Sequence, residues 1–314
     1  MKTILITGGG GYVGSELVNF FQKKNYKIIV LDTFWFGNHL TKHKNLKIIK
    51  GDVRNFDEKI LKNISSVIHL ANIANDPAVD LNPVLSWEVN VLATYSLISK
   101  CIKYKVKQFI FASSGSVYGV KKEKRVTEDL SLVPISTYNK TKMIAERVLM
   151  SYADKIQIHC IRPATVCGLS PRMRFDVSVN NLTMQALTKK NITVFGGKQI
   201  RPNIHIKDLV NIYDFFINKP KIKSGFYNAG FENISIMSIA KLISKITKVK
   251  IKVTKVIDQR SYRQDSTKLL RLGFKQKYKV IDAINDLKIA FENRTIKATP
   301  NTFTVKWMKK KKFV

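Results

Sequence analysis

The sequence predicts an α/β chain, a doubly wound parallel sheet followed by a smaller C-terminal lobe, and three observations carry that prediction. Short β-branched runs alternate with amphipathic segments through the first half of the chain, which implies parallel strands with helices on both faces. The strand candidates read as near-continuous apolar runs, as strands do when both of their faces are covered. After "IQIHCIRP" the rhythm loosens into longer polar connections. The boundaries that follow are residues 1–170 for the sheet and 171–314 for the lobe, with some crossing of the chain between them. No internal repeat or disordered linker divides the two, so they are expected to share an interface, where ligand clefts tend to lie.

Taken in order, "KTILIT" is the first strand and is followed by a helical stretch to Lys24. "KIIVLD", "LKIIKGD" and "SSVIHLA" are the next strands, a long helical stretch runs to Tyr104, and "KQFIFAS" follows it. A helix is expected from Tyr138, where Ile144, Val148, Leu149 and Tyr152 fall near a 3.6-residue period and Ser136 or Thr137 is available as a cap. The lobe has helical patterns near 206–219, 235–247 and 280–292.

Composition sets limits on function. At 314 residues the chain can bury a large core. No apolar run reaches membrane-span length, and the apolar N-terminal segment is broken by glycines where a signal peptide needs an unbroken core. A cytoplasmic location is the expectation. Cys101, Cys160 and Cys167 are widely spaced and fit reduced thiols better than a disulfide framework or a metal site. The net charge of +33 invites a nucleic-acid reading, but it is carried by 44 lysines against 11 arginines spread along the chain, as compositional drift would produce. Only "KKKK" at 309–312 is a block, expected to be a solvated tail. No specific nucleic-acid partner is expected.

"TGGGGYVGS" follows the first strand and opens a helix, placing Gly8, Gly11 and Gly14 in the spacing GxxGxxG. Glycines there permit a tight turn and a close backbone approach to a pyrophosphate at the positive end of the helix. The motif is weak alone. Its strand, its helix and Asp32 at the end of the second strand supply the context of a dinucleotide site. A carboxylate at that strand end accepts hydrogen bonds from ribose hydroxyls and repels a 2′-phosphate, so NAD is favoured over NADP. "GDVR" ends the third strand, either as an adenine-edge contact or as a plain terminating turn.

Two tyrosines precede a lysine by four positions, Tyr118 with Lys122 and Tyr138 with Lys142, and composition alone gives about one or two such matches. Polar, aperiodic sequence follows Tyr118, so nothing fixes Lys122 beside it. On the helix after Tyr138, residues i and i+4 are neighbours, and a lysine there lowers the phenol's pKa towards the range of a general base. Some 24 residues earlier "FASSGS" carries hydroxyls to the same sheet edge as the glycine loop, where a serine can hydrogen-bond a substrate oxygen.

Serine, tyrosine and lysine in that order after a dinucleotide fingerprint resemble the extended short-chain dehydrogenase/reductase family, in its nucleotide-sugar epimerase and dehydratase branch. The resemblance runs through "TGGGGYVG", "GDVR", "HLA", "NVLAT", "SSGSVYG", "YNKTK", "RPATVCG", "RPNIHIKD" and "YNAGFENISI". It implies a Rossmann-type fold and NAD as cofactor. Gly8, Gly11 and Gly14, with Tyr12 and Val13, would hold the pyrophosphate, Asp32 the ribose, and Asp52 with Val53 the adenine. Leu70, Ala71, Asn90 and Pro163 would line the rest of the cofactor site. The family further implies that Ser114 orients the substrate, that Tyr138 is the base, and that Lys142 holds the nicotinamide ribose while tuning Tyr138. Ser116, Asn180, Arg201 and Arg260 would meet the sugar nucleotide.

Three departures qualify what the resemblance implies. Gly115 and Ser116 stand where dehydratases of the branch carry an acid pair, so elimination of water lacks its acid. Asn72 replaces a common alanine, and Thr165 replaces a substrate-contacting asparagine of many epimerases. Arg172 and Arg174 in "SPRMRFDVSVNN" either meet phosphate or lie on a solvated loop. The expectation is an NAD-dependent epimerase acting as a homodimer at C4 of a nucleotide-activated sugar through a 4-keto intermediate; the alternative is a net C4 oxidoreductase of such a sugar or heptose, and a 4,6-dehydratase or non-catalytic nucleic-acid binder ranks below both.

Overall fold

The computed structural model describes residues 1–255 and 261–312. Its main sheet is built from β1 (Lys2–Thr7), β2 (Tyr26–Asp32), β3 (Leu46–Lys50), β4 (Ser66–His69), β5 (Gln108–Ala112) and β6 (Gln157–Pro163). Beyond them lie β7 (Thr165–Cys167), β8 (Asn191–Phe195), β9 (Ile200–His205), β10 (Gly225–Ala229), β11 (Glu232–Ser235) and β12 (Lys250–Thr254). The main sheet has seven strands in the order β10-β6-β5-β4-β1-β2-β3, all paired in parallel. The order reverses direction at β1, so the chain winds to one side and then the other, a Rossmann-type sheet whose switch point lies at the carboxyl end of β1 and β4.

The apolar strand runs divide between two faces, because successive side chains of a strand point to opposite sides. On one side Ile4 and Ile6 of β1 pack with Leu17, Val18 and Phe21 of α1 (Tyr12–Gln22). On the other Leu5 joins Val67, Phe109 and Phe111. That second face is closed by the single-turn α2 (Asp76–Val79) and by α4 (Ala93–Lys103) and α5 (Thr137–Met150), with the short α3 (Pro83–Trp87) leading into a π-helical turn over Glu88–Leu92.

The lobe holds a three-stranded sheet, β11-β9-β7, and a two-stranded one, β12-β8. It carries α6 (Ser178–Lys189), α7 (Ile206–Asn218) and α8 (Ile236–Thr247). The chain crosses between the two parts, since β10 returns to the edge of the main sheet beside β6 and α7 packs on the α1 face.

The C terminus differs from a plain solvated tail. A helix over Thr304–Lys311 docks through Met308, which is buried in the α4 face, and the Trp307 indole N–H donates to the Trp35 carbonyl at 2.6 Å. Its lysines, Lys306 and 309–312, face solvent. Among the described residues no helix is long and apolar enough to cross a membrane.

Candidate active site

Glycine is required at two points of the loop between β1 and α1. Gly8 has φ +75°, and a Cβ there would lie 2.5 Å from the Ala71 backbone nitrogen. A Cβ on Gly14 would collide with the Gly8 carbonyl oxygen and sit 2.7 Å from the Gly9 Cα. The loop therefore presses against the end of β4 and tucks under its own helix, leaving the first turn of α1 open to an anion. Gly11 caps α1 without a side-chain bond. Val13 is partly buried, and the Tyr12 hydroxyl donates to the Gly168 carbonyl at 2.7 Å, which staples the helix start to the loop after β7.

Asp32 ends β2 beside this loop. Its carboxylate accepts from the Gly10 N–H at 2.8 Å and the Phe34 N–H at 2.6 Å. Burial raises its pKa, and these two bonds and Arg172 pull the other way. Each oxygen keeps a lone pair for a further donor. Asp52 is held by Arg54, which also bonds Glu88 at 2.7 Å. Burial acts to raise the Asp52 carboxyl, but the Arg54 hydrogen bonds outweigh it and hold the carboxyl below its ordinary value. Val53 lies in the core beneath. Leu70 and Ala71 run along the Gly8 turn, with the Leu70 N–H donating to the Thr7 carbonyl at 2.9 Å.

The second half of the site is at the ends of β5 and β6 and the start of α5. Ser136 caps α5, accepting from the Asn139 N–H at 3.2 Å and donating to Asp76 at 2.6 Å. Tyr138 in the first turn lies near Ser114, whose hydroxyl acts to lower the pKa of its phenol. Ser114 and Ser116 hydroxyls lie 2.7 Å apart, and Ser116 donates to the Asn139 side chain at 2.5 Å. Pro163 closes β6, in register with Ala229 of β10.

Lys142 is 3% exposed. Its ammonium donates to the Ala112 carbonyl at 2.6 Å and lies 4.6 Å from the centroid of the Phe111 ring. Burial pulls its pKa down to about 7, with Glu146 opposing. The Tyr138 phenol is pushed up to about 12 by burial, against the charge of Arg174 and the Ser114 bond. The charge of Arg174 acts on the phenol, and the Lys142 ammonium is turned to the backbone of β5.

Two further site candidates, Asn180 and Asn90, are tied into the surrounding structure. Asn180 is fully engaged inside the loop after β7: it accepts from the Gly168 N–H at 3.0 Å and donates to the Tyr12 hydroxyl at 3.0 Å and the Arg174 carbonyl at 2.9 Å. It shapes the loop that carries Arg174. Asn90, in the π-helical turn, exchanges both bonds with the Ile73 backbone and donates to Thr141 at 3.1 Å, so it ties the β4 exit to α5. Arg201 lies in the field of Tyr262, which is itself near Tyr138. Arg260 falls outside the described residues.

Sequence reading missed a buried network under this site. Arg162 of β6 makes a two-pronged bond to Glu146 at 2.8 and 2.7 Å and donates to the Tyr118 hydroxyl at 2.8 Å. Tyr118 donates to Asn228 at 2.8 Å, and Gln264 donates to the same Asn228 oxygen at 3.0 Å. The one signal was Glu146 itself, four residues past Lys142 on the same helical face. Lys122, the partner of Tyr118 by spacing, is exposed.

Residues 4–230 match the model of the NAD dependent epimerase/dehydratase family. A UDP-glucose 4-epimerase of Lactobacillus helveticus is 28% identical, over 90% of this chain and 94% of its own length. An uncharacterized UDP-glucose epimerase of Bacillus subtilis is 32% identical, over 78% of this chain and 82% of its own. Among solved structures, the UDP-glucuronic acid 4-epimerase of Bacillus cereus in complex with UDP-glucuronic acid and NAD superposes with a TM-score of 0.83 at 28% identity, over 93% of this chain and 99% of that one.

Proposed function

The chain belongs to the NAD dependent epimerase/dehydratase family, and on that premise we propose that it is an NAD-dependent epimerase acting at C4 of a nucleotide-activated sugar. The observation that carries the reading is the convergence of Tyr138 and Ser114 at the carboxyl edge of the sheet, close enough for the serine hydroxyl to act on the phenol, with buried Lys142 one turn further along the same helix.

The residues fit the cofactor. A loop in which Cβ atoms at Gly8 and Gly14 would strike backbone is the cradle a pyrophosphate needs. Gly8, Gly11 and Gly14 would hold the pyrophosphate, Asp32 the adenosine ribose and Lys142 the nicotinamide ribose. NAD, when bound, supplies the acceptor for the C4 hydride and returns it. The chain's own groups do the rest. Tyr138 as phenolate takes the proton of the C4 hydroxyl, and Ser114 donates to the oxygen as it becomes a carbonyl. Arg174 favours the phenolate electrostatically. Returning the proton from Tyr138 to the C4 oxygen regenerates the base and completes an inversion once the 4-keto sugar has turned over in the site.

A 4,6-dehydratase reading is disfavoured at Gly115. A Cβ there would sit 3.0 Å from the Gln264 side-chain oxygen, so an acidic residue at that position has no room without moving a buried network. A homodimer is part of the proposal: Val84, Leu92 and Tyr95 leave large apolar side chains exposed around the start of α4.

Incubation with UDP-, dTDP- and GDP-sugars tests the reading. A C4 epimer of at least one should form, without deuterium at C4 or C5 when the reaction runs in deuterated water. A 4-keto-6-deoxy product labelled at C5 would replace this assignment with elimination, and release of a stable 4-keto sugar would favour a net C4 oxidoreductase.

A further inference from the structure

Arg172 is a buried cation without a partner. It lies on the loop between β7 and α6 and is 4% exposed. Its backbone N–H donates to Ser15 of α1 at 3.2 Å, and its guanidinium carbon lies 4.0 Å from the centroid of the Phe36 ring. Among the described residues neither Nε nor Nη2 has a hydrogen-bond acceptor. The nearby carboxylates are committed elsewhere. Asp32 accepts from Gly10 and Phe34, and Asp176 accepts from Arg174 at 2.9 Å and from the Thr304 N–H at 3.0 Å.

A buried guanidinium with unmet donors is strongly unfavourable unless an anion meets it. Its position narrows the choice of anion. Ser15 belongs to the first turn of α1, above which a pyrophosphate sits, and Phe36 follows Asp32 by four residues at the ribose end of the site. The charges of Arg172 and Asp32 act on each other directly. A guanidinium held against an aromatic ring keeps its fork of edge donors free, and that fork can receive phosphate in a two-pronged fashion.

We propose that Arg172 is a phosphate-binding residue of the dinucleotide site, its Nε and Nη2 donors directed to a phosphate carried by the adenosine ribose. The phosphate is either the pyrophosphate, common to NAD and NADP, or a 2′-phosphate, in which case Arg172 offsets the repulsion from Asp32. The proposal rests on the dinucleotide reading above.

Calorimetric titration of the full-length protein with NAD, NADP and adenosine tests it, with Arg172→Met as the variant because methionine keeps the contact with Phe36. Charge-assisted bonds of this kind are worth about 1.5–3 kcal/mol, so at least one dinucleotide should bind about tenfold or more weakly while adenosine is unaffected. Equal loss for NAD and NADP assigns the pyrophosphate, and a larger loss for NADP assigns the 2′-phosphate. Unchanged dinucleotide affinity, or adenosine weakened as much as NAD, overturns the proposal. Arg172→Lys is the second variant if the first melts early: it keeps charge and loses the fork, so dinucleotides alone should weaken, by about three- to tenfold. Failure of the unaltered protein to bind either dinucleotide would instead remove the reading on which the proposal stands.

Discussion

Tyr118 and Tyr138 share a spacing to lysine, a nearby serine-rich turn and a burial that pushes each phenol up to about 12, yet their surroundings suit them to different work. The Tyr118 hydroxyl is spent at both ends, accepting from Arg162 and donating to Asn228. Its lysine is in solvent. Tyr138 lies near Ser114, whose hydroxyl pairs with that of Ser116, and a cation from a distant loop acts on it. A phenol in a closed network stabilises; a phenol with an exchangeable partner at the edge of a cleft can move a proton. The spacing alone distinguishes nothing, and helix geometry with the identity of each partner decides.

The largest expected effect breaks the comparison on the catalytic side. Tyr138→Phe should lower turnover at saturating sugar nucleotide by about 100-fold or more, with a melting temperature close to that of the unaltered protein. Tyr118→Phe should show the reverse. It leaves Arg162 Nη1 without its acceptor, costing about 1–3 kcal/mol of stability, visible by thermal melting, while turnover stays within about threefold.

Arg174→Met should sharpen the electrostatic difference. A positive charge favours the phenolate, so its removal raises the Tyr138 pKa, and the rising limb of the pH–rate profile should move about one unit to higher pH. Turnover at neutral pH would fall by about tenfold and recover in base. An unmoved profile would mean that the field of Arg174 is screened by its pairing with Asp176. The smallest effect belongs to Lys122→Ala, expected to leave both turnover and melting unchanged within about 0.5 kcal/mol.

How much of this was legible in the sequence follows from distance along the chain. The alternation of strands and helices, the glycine loop and Asp32 were readable because contiguous residues build them. Tyr138 and Lys142 were readable because one helical turn separates them. The direction in which Lys142 points was not, since the Ala112 carbonyl that holds it lies 30 residues away. The hydrogen bonds by which Asn180 and Asn90 tie loops together were not legible either, because an amide's partners depend on tertiary approach. Arg172 and Arg174, two residues apart, part company for the same reason: one turns to Asp32 and Phe36, the other to Asp176 and the phenol. The C-terminal lysines read as a tail because Trp307 and Met308 meet their partners some 270 and 230 residues upstream, beyond any local pattern.

The most direct test is a rapid-mixing measurement of absorbance from reduced cofactor after a turnover-competent sugar nucleotide is added to protein loaded with NAD, comparing the unaltered chain, Tyr118→Phe and Tyr138→Phe. The account predicts a transient of reduced cofactor at similar rates in the first two and one slowed by about 100-fold or more in Tyr138→Phe. A transient preserved in Tyr138→Phe and abolished in a well-folded Tyr118→Phe would contradict it.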